Sequence, residues 1–205
     1  MTEIKRFPVG YLQTNCYVVT SDGYDGAVLV DIGGGFGKIT DYLAEKGKKA
    51  VAALFTHGHF DHIFDAFKWQ KCGVKLYISE QDAGLLENGN GNLASNYGLI
   101  IPPAKADFLV KDGDKLVFGD MNFSVMHTPG HTAGGVCYIL DEKIIFSGDT
   151  LFFHSYGRTD FGGGDFDDIS ASVKKILALD GDRIVYPGHG ESTTLKEERL
   201  FNPLV

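Results

Sequence analysis

The sequence predicts an α/β chain of the α+β kind, in which two packed β-sheets are covered by helices. Three observations carry this expectation. Strand patterns come first, strand and helix then alternate, strands return, and a strand and a helix close the chain. The strand pattern restarts near residue 107 with no internal sequence repeat, which points to a second sheet. No linker-like composition divides the chain, and 205 residues suit one good-sized domain, 1–205, better than two.

Residues 3–9 and 15–20 read as strands. Residues 26–32 are nearly all apolar, the mark of a strand buried on both faces. Gly33-Gly34-Gly35 follows; it lacks the spacing of a phosphate-cradling loop and reads as a tight turn. Residues 36–47 place Phe36, Ile39, Leu43 and Ala44 on one helical face, ended by Gly47. Strand 50–56 leads into a helix over 61–72, with Ile63, Phe64, Phe67 and Cys72 facing inward and Trp69 helping to pack it. A short strand over 74–79 and a helix over 80–87 precede the Asn/Gly-rich stretch 88–98, closed by Pro102-Pro103. Such a loop is expected to be mobile or to border a substrate site. Residues 107–141 read as successive strands with turns at 112–114 and 118–120, and a turn at 141–142 opens strand 143–148. Helix 166–179 carries the stripe Ile169, Val173, Ile176 and Leu177, capped by Asp165 or Asp167. Strand 183–186 and a helix from about 193, with the capping-box form Thr194-Leu195-Lys196-Glu197, finish the chain.

At 43% hydrophobic and 22% charged residues the composition is that of a soluble globular protein. A net charge of -8 argues against a general nucleic-acid binder. Met1–Pro8 lacks the apolar core of a signal peptide, and no apolar run approaches the roughly 18 residues of a membrane span. A cytoplasmic protein without membrane partners is therefore expected. Cys16, Cys72 and Cys137 are odd in number and widely spaced, and read as free thiols packed as small hydrophobes.

Chemistry concentrates in Thr56-His57-Gly58-His59-Phe60-Asp61-His62. Imidazole and carboxylate suit Zn²⁺, Mn²⁺ or Fe. Side chains alternate along extended backbone, so His57 and His59 share a side. A helix opening at Asp61 splays Asp61 and His62 by roughly 100°, so that they can serve a second centre. Three later apolar runs also end in ligand residues beside glycine: His127-Thr128-Pro129-Gly130-His131, Ser147-Gly148-Asp149 and Tyr186-Pro187-Gly188-His189. Loops at one edge of a sandwich can converge on a single site. Of the remaining candidates, His127 reads as a structural hydrogen-bonding residue and Tyr186 as core. His154 and Arg158 are candidates for substrate binding, although Arg158 with Asp160 reads first as an ion pair fixing its loop. Asp31 is either a strand-end turn residue or a partner for a ligand histidine.

The set His57-Gly58-His59-Phe60-Asp61-His62, His131, Asp149 and His189 resembles the five-part pattern of the metallo-β-lactamase-fold superfamily, from about residue 7 to the C-terminus. Within it the chain is most similar to small hydrolases related to glyoxalase II, the hydroxyacylglutathione hydrolases. Thr128-Pro129-Gly130-His131-Thr132, Gly148-Asp149-Thr150-Leu151-Phe152, Gly157-Arg158-Thr159-Asp160 and Tyr186-Pro187-Gly188-His189-Gly190 add to the likeness. The resemblance implies a four-layer αββα sandwich with the site at one edge of the sheets. It implies His57, His59 and His131 on one metal, Asp61, His62 and His189 on a second, and Asp149 bridging two divalent ions. Zinc is the first expectation, with iron or manganese as alternatives. Two such ions against Asp61, Asp149 and a hydroxide leave a site of about +1, suited to a polarised carbonyl or an anionic small molecule. The implied reaction is hydrolysis of a thioester, such as one of glutathione, or of an ester by metal-bound hydroxide, with Asp61 orienting the nucleophile or accepting its proton.

True glyoxalase II continues into a helical domain that supplies most glutathione contacts, whereas this sequence stops soon after His189, which leaves the thiol carrier open. The alternative is a persulfide dioxygenase holding one Fe(II) on His57, His131 and Asp149. That site would not need Asp61 and His62. A β-lactamase is disfavoured by the missing export signal and by Asp149 where the best-known zinc lactamases carry cysteine.

Overall fold

The computed structural model describes residues 1–205. The first sheet is laid down in chain order: β1 (Thr2–Val9), β2 (Thr14–Ser21), β3 (Tyr24–Val30), β4 (Lys49–Leu54), β5 (Lys75–Ser79) and β6 (Phe108–Val110). Its first three strands are antiparallel hairpins, and β3 to β6 run parallel. Parallel neighbours need crossovers, and these are supplied by α1 (Phe36–Glu45), by α2 (Phe60–Ile63) with α3 (Ala66–Lys71), and by the stretch containing α4 (Ala83–Glu87). The second sheet holds β7 (Lys115–Phe118), β8 (Met121–His127), β9 (Val136–Leu140) and β10 (Ile144–Gly148) as an antiparallel meander. After the small ribbon β11 (Leu151–Phe152) and β12 (Ser155–Tyr156) comes α5 (Phe166–Leu177). Then β13 (Ile184–Pro187) joins β10 in parallel and β14 (Thr193–Thr194) joins β13, before α6 (Leu195–Phe201).

Period-two alternation explains why the strands read as unbroken apolar runs. Tyr17, Val19, Val28, Val30 and Leu54 point into the space between the sheets, against Phe123, Val125, Tyr138 and Phe146 of the second sheet. Cys16, Val18, Leu29 and Ala53 point the other way, under Ile39, Leu43, Ile63 and Trp69 of the helices. On the far side, Cys137, Ile139, Ile145 and Val185 lie under Val173, Ile176 and Leu195. Both faces of both sheets are thus buried, which gives the αββα layering. No helix is long and apolar enough to cross a membrane.

The expected strands appear within a few residues of their predicted bounds. The Asp165 carboxylate accepts the Asp168 N–H as the cap of α5, and Thr194 accepts the Glu197 N–H at 3.2 Å. Two expectations are corrected. The helix expected over 61–72 is broken into α2 and α3 at Phe64–Asp65. Asp65 is the cause: its N–H bonds the Ile32 carbonyl, and its buried carboxylate accepts from Phe36 N and pairs with Lys68. The break rotates the second half, so Phe67 and Cys72 are exposed while Trp69 packs against Phe36. Cys16 and Cys137 are buried thiols as expected; Cys72 is not.

Candidate metal centre

The C-terminal ends of β4, β8, β10 and β13 meet at one edge of the sandwich, and each is followed by a turn carrying ligand residues. Backbone hydrogen bonds stitch the two sheets together there, Val136 N to Thr56 O at 2.8 Å and Asn15 N to Gly188 O at 2.7 Å, while Gly188 N to Gly148 O at 2.8 Å ties the turns after β13 and β10 within the second sheet. Gly188 is required by close approach, since a Cβ there would lie 2.1 Å from Asp149 Oδ1 and 2.7 Å from His62 Cε1. Gly148 adopts a φ of 50°, which favours glycine, and turns Asp149 over the sheet edge.

All seven predicted ligands come together. His57, His59 and His131 form one group, Asp61, His62 and His189 another, and His57, His62 and Asp149 a third between them, with ligand atoms within 4.8 Å of one another in each. His59 Nδ1 lies 3.1 Å from His57 Nε2 and 2.9 Å from His131 Nε2. Three tetrahedral Zn–N bonds of the usual 2.0–2.1 Å would set nitrogens about 3.3 Å apart, so the trio is close to the spacing an ion needs. Asp149 reaches both sides, with Oδ1 3.4 Å from His62 Nε2 and Oδ2 3.5 Å from both His131 Nε2 and His189 Nε2. His62 Nε2 and Asp149 Oδ1 are buried without a hydrogen-bond partner. Buried polar atoms rarely stay unpaired in a finished fold, so these orphans fit a bound cation.

The chain sets which nitrogen faces inward. A carbonyl only accepts, so His131 Nδ1 donates to Arg158 O at 2.8 Å and His189 Nδ1 donates to Leu12 O at 3.1 Å. Asp31, directly after β3, accepts a hydrogen bond from His62 Nδ1 at 2.9 Å and also from Thr56 N and Thr56 Oγ1. Each of these rings therefore turns its Nε2 to the centre. Burial and the surrounding histidines hold His57 well below its ordinary pKa, and burial with His131 pulls His59 down to about 3. Both are neutral imidazoles ready to ligate. Burial alone would lower His62 as well, but Asp61, Asp31 and Asp149 carry it well above the ordinary value. Burial raises the Asp61 and Asp149 carboxyls, yet His62 and the other facing histidines hold both below the carboxylate range.

Two contributors left no sequence signal. Thr14, buried at the start of β2, donates its hydroxyl to Asp61 Oδ2 at 2.7 Å. Asp82, buried before α4, accepts from Gly58 N, Thr132 Oγ1 and Gly134 N, tying the His57–His59 segment to the His131 loop. Both act across long sequence separations, which no local pattern encodes.

The centre opens into a cavity of about 460 Å³ walled by Leu12, Leu93, Tyr97, Phe152, Arg158 and Phe161. The Asn/Gly-rich stretch therefore borders it through Leu93, which carries a left-handed φ of 68°, and through Tyr97, which packs on Phe60. Arg158 forms the ion pair expected of it, with Asp160 at 2.6 Å, and its guanidinium lies over the Phe161 ring in the cavity wall. His154 is not brought to the cavity; its Nε2 lies 2.9 Å from Glu197, and its ring stacks on Phe153. His127 bonds the Ala133 carbonyl, and Tyr186 packs against Tyr17 and Phe146.

Comparison with known proteins agrees with this architecture. The family model of the metallo-beta-lactamase superfamily matches residues 9–189. Hydroxyacylglutathione hydrolase GloC of Haemophilus influenzae is 33% identical over 210 residues, covering 98% of this chain and 97% of that protein. Among solved structures, the BLEG-1 B3 metallo-beta-lactamase superposes with a TM-score of 0.92 at 39% identity, covering 98% of both chains. TTHA1623 in a di-iron-bound form superposes with a TM-score of 0.86 at 35% identity, covering 98% of this chain and all of that one. With the ligand-bearing turns gathered at one edge of an αββα sandwich, the chain belongs to the metallo-β-lactamase superfamily.

Proposed function

We propose that the protein is a dinuclear metallo-hydrolase of a single domain that cleaves a thioester, with zinc as the first metal to test. One observation carries this reading: a second complete ligand group, Asp61, His62 and His189, lies beside the three-histidine group, with Asp149 facing both. A mononuclear iron site for persulfide oxidation leaves that second group without a purpose. The similarity to GloC, a hydroxyacylglutathione hydrolase, supports an acyl-thioester substrate.

Bound divalent ions would supply Lewis acidity and water activated near neutral pH. The chain's own residues prepare the rest. Arg158 O, Leu12 O and Asp31 hold three histidines in the ligating tautomer. Thr14 occupies one lone pair of Asp61 Oδ2 and keeps that carboxylate turned to the centre, where it orients the attacking water or takes its proton. Phe60, Tyr97 and Phe161 limit water at the cavity wall, and Arg158 offers positive charge to an anionic acyl group. A thiolate leaves without needing a proton donor, which suits a thioester.

The test pairs metal analysis with turnover of S-lactoylglutathione. Two ions per chain and hydrolysis lost on His59→Ala, with the fold retained, are expected. One iron per chain with O₂ uptake on glutathione persulfide would overturn the proposal. The likeness to BLEG-1 makes lactam opening the second reading, and nitrocefin turnover exceeding thioester turnover would favour it.

A further inference from the structure

A second cavity, of about 840 Å³, lies behind the metal centre. It shares Phe60 and Asp61 with the catalytic cavity, so these two residues form a wall common to both. The tip of the β1–β2 hairpin stands between them: Tyr11 lines the larger cavity and Leu12 the smaller. Tyr11 is 77% exposed and packs on no other ring, an aromatic surface without a partner in the fold. Opposite it lie Phe36 and Phe64, both half-buried.

Two carboxylates and two lysines line this wall, and one of the four is without a partner. Asp61 faces the metal ligands, and Asp65 is paired with Lys68 at 2.7 Å. Lys38 pairs with no carboxylate and lines the cavity. Beside it, the first-turn N–H groups of Gly37 and Lys38 have no intrahelical acceptor, because Gly35 supplies no side-chain cap and Asp65 reaches only Phe36 N. The wall therefore offers an unpartnered cation and aromatic faces one residue layer from the reacting centre, on the far side of Phe60 and Asp61.

We propose that this cavity seats the distal arm of the substrate's thiol carrier, and that the arm is long, phosphorylated and ends in an aromatic ring. The acyl group lies in the smaller cavity, the thioester at the metal centre, and the arm passes the hairpin tip. The phosphate meets Lys38 and the ring lies among Tyr11, Phe36 and Phe64. This assignment rests on the thioester-hydrolase reading for its chemistry, but the site itself can be tested without turnover.

Gly37 is the place to block it, since a Cβ there meets no atom within 4 Å and its backbone is ordinary helix. Gly37→Trp fills the cavity; Lys38→Glu reverses its charge and serves if the first variant folds poorly. Two readouts are taken on the metal-loaded protein. The first is calorimetric binding of desulfo-coenzyme A, which has the arm but no thiol. The second is kcat/KM for acetyl-coenzyme A against S-acetyl-N-acetylcysteamine, a short neutral thioester. Each variant is expected to weaken binding and lower kcat/KM for the long substrate about tenfold, equivalent to about 1.4 kcal/mol, with the short substrate unchanged. No binding to the wild type, or equal binding to all three proteins, overturns the proposal even if both thioesters are hydrolysed. Binding that the variants abolish, without hydrolysis of either thioester, upholds the site and sinks the hydrolase reading instead.

Discussion

Thr14→Val tests how the protein holds its second ligand group. The substitution exchanges a hydroxyl for a methyl of similar size at a site with no solvent exposure, so packing is nearly preserved. What is lost is the 2.7 Å hydrogen bond to Asp61 Oδ2. A buried hydrogen bond to a charged group contributes about 1.5–3 kcal/mol. Here the lower end applies, because His189 Nε2 at 3.2 Å and a bound ion share the same carboxylate charge. About 1.4 kcal/mol is tenfold in an equilibrium constant. The variant should therefore bind the ion on Asp61, His62 and His189 about tenfold more weakly, while the three-histidine ion keeps its affinity. Competition against a chromophoric chelator resolves the two steps, and Thr14→Ser, which keeps the hydroxyl, should restore the weaker one. If Thr14→Val takes up both ions with wild-type affinity, Asp61 is positioned by its own backbone and the argument from Thr14 fails.

Asp82→Ala should leave two buried backbone N–H groups and a hydroxyl unsatisfied, costing at least about 2 kcal/mol and lowering Tm by roughly 4–8 °C; calorimetry showing no change would remove Asp82 as the tie between the two loops. Gly188→Ala places a methyl 2.1 Å from Asp149 Oδ1, so metal content per chain should fall below wild type although circular dichroism stays native; full metal loading would show that the carboxylate has room to move. Arg158→Met should raise KM about fivefold for thioesters with an anionic acyl group and leave kcat nearly unchanged; an equal effect on neutral acyl groups would assign Arg158 to loop structure alone.

The sequence by itself determined the layering and which histidines and aspartates gather at the sheet edge, because both are local. Alternation along Ala27-Val28-Leu29-Val30 reports a strand covered on two faces, and a histidine or aspartate after such a strand, beside glycine, is delivered to the sheet edge wherever the strand ends. The position of the metal centre therefore followed from residues close in the chain, with the family resemblance apportioning them to two ions. The tertiary structure decided everything that depends on distant partners. Asp65 broke a helix that its own neighbours favour, because Ile32 and Phe36 from another element captured its backbone and carboxylate. Asp31 turned out to be both a turn residue, with a φ of 52°, and the partner of His62. The orientation of His131 and His189 came from two backbone carbonyls, which carry no side-chain signature at all. Thr14 and Asp82 acquired their roles for the same reason: a hydrogen bond across the fold depends on where two chain segments meet, and that meeting is settled only when the sheets pack.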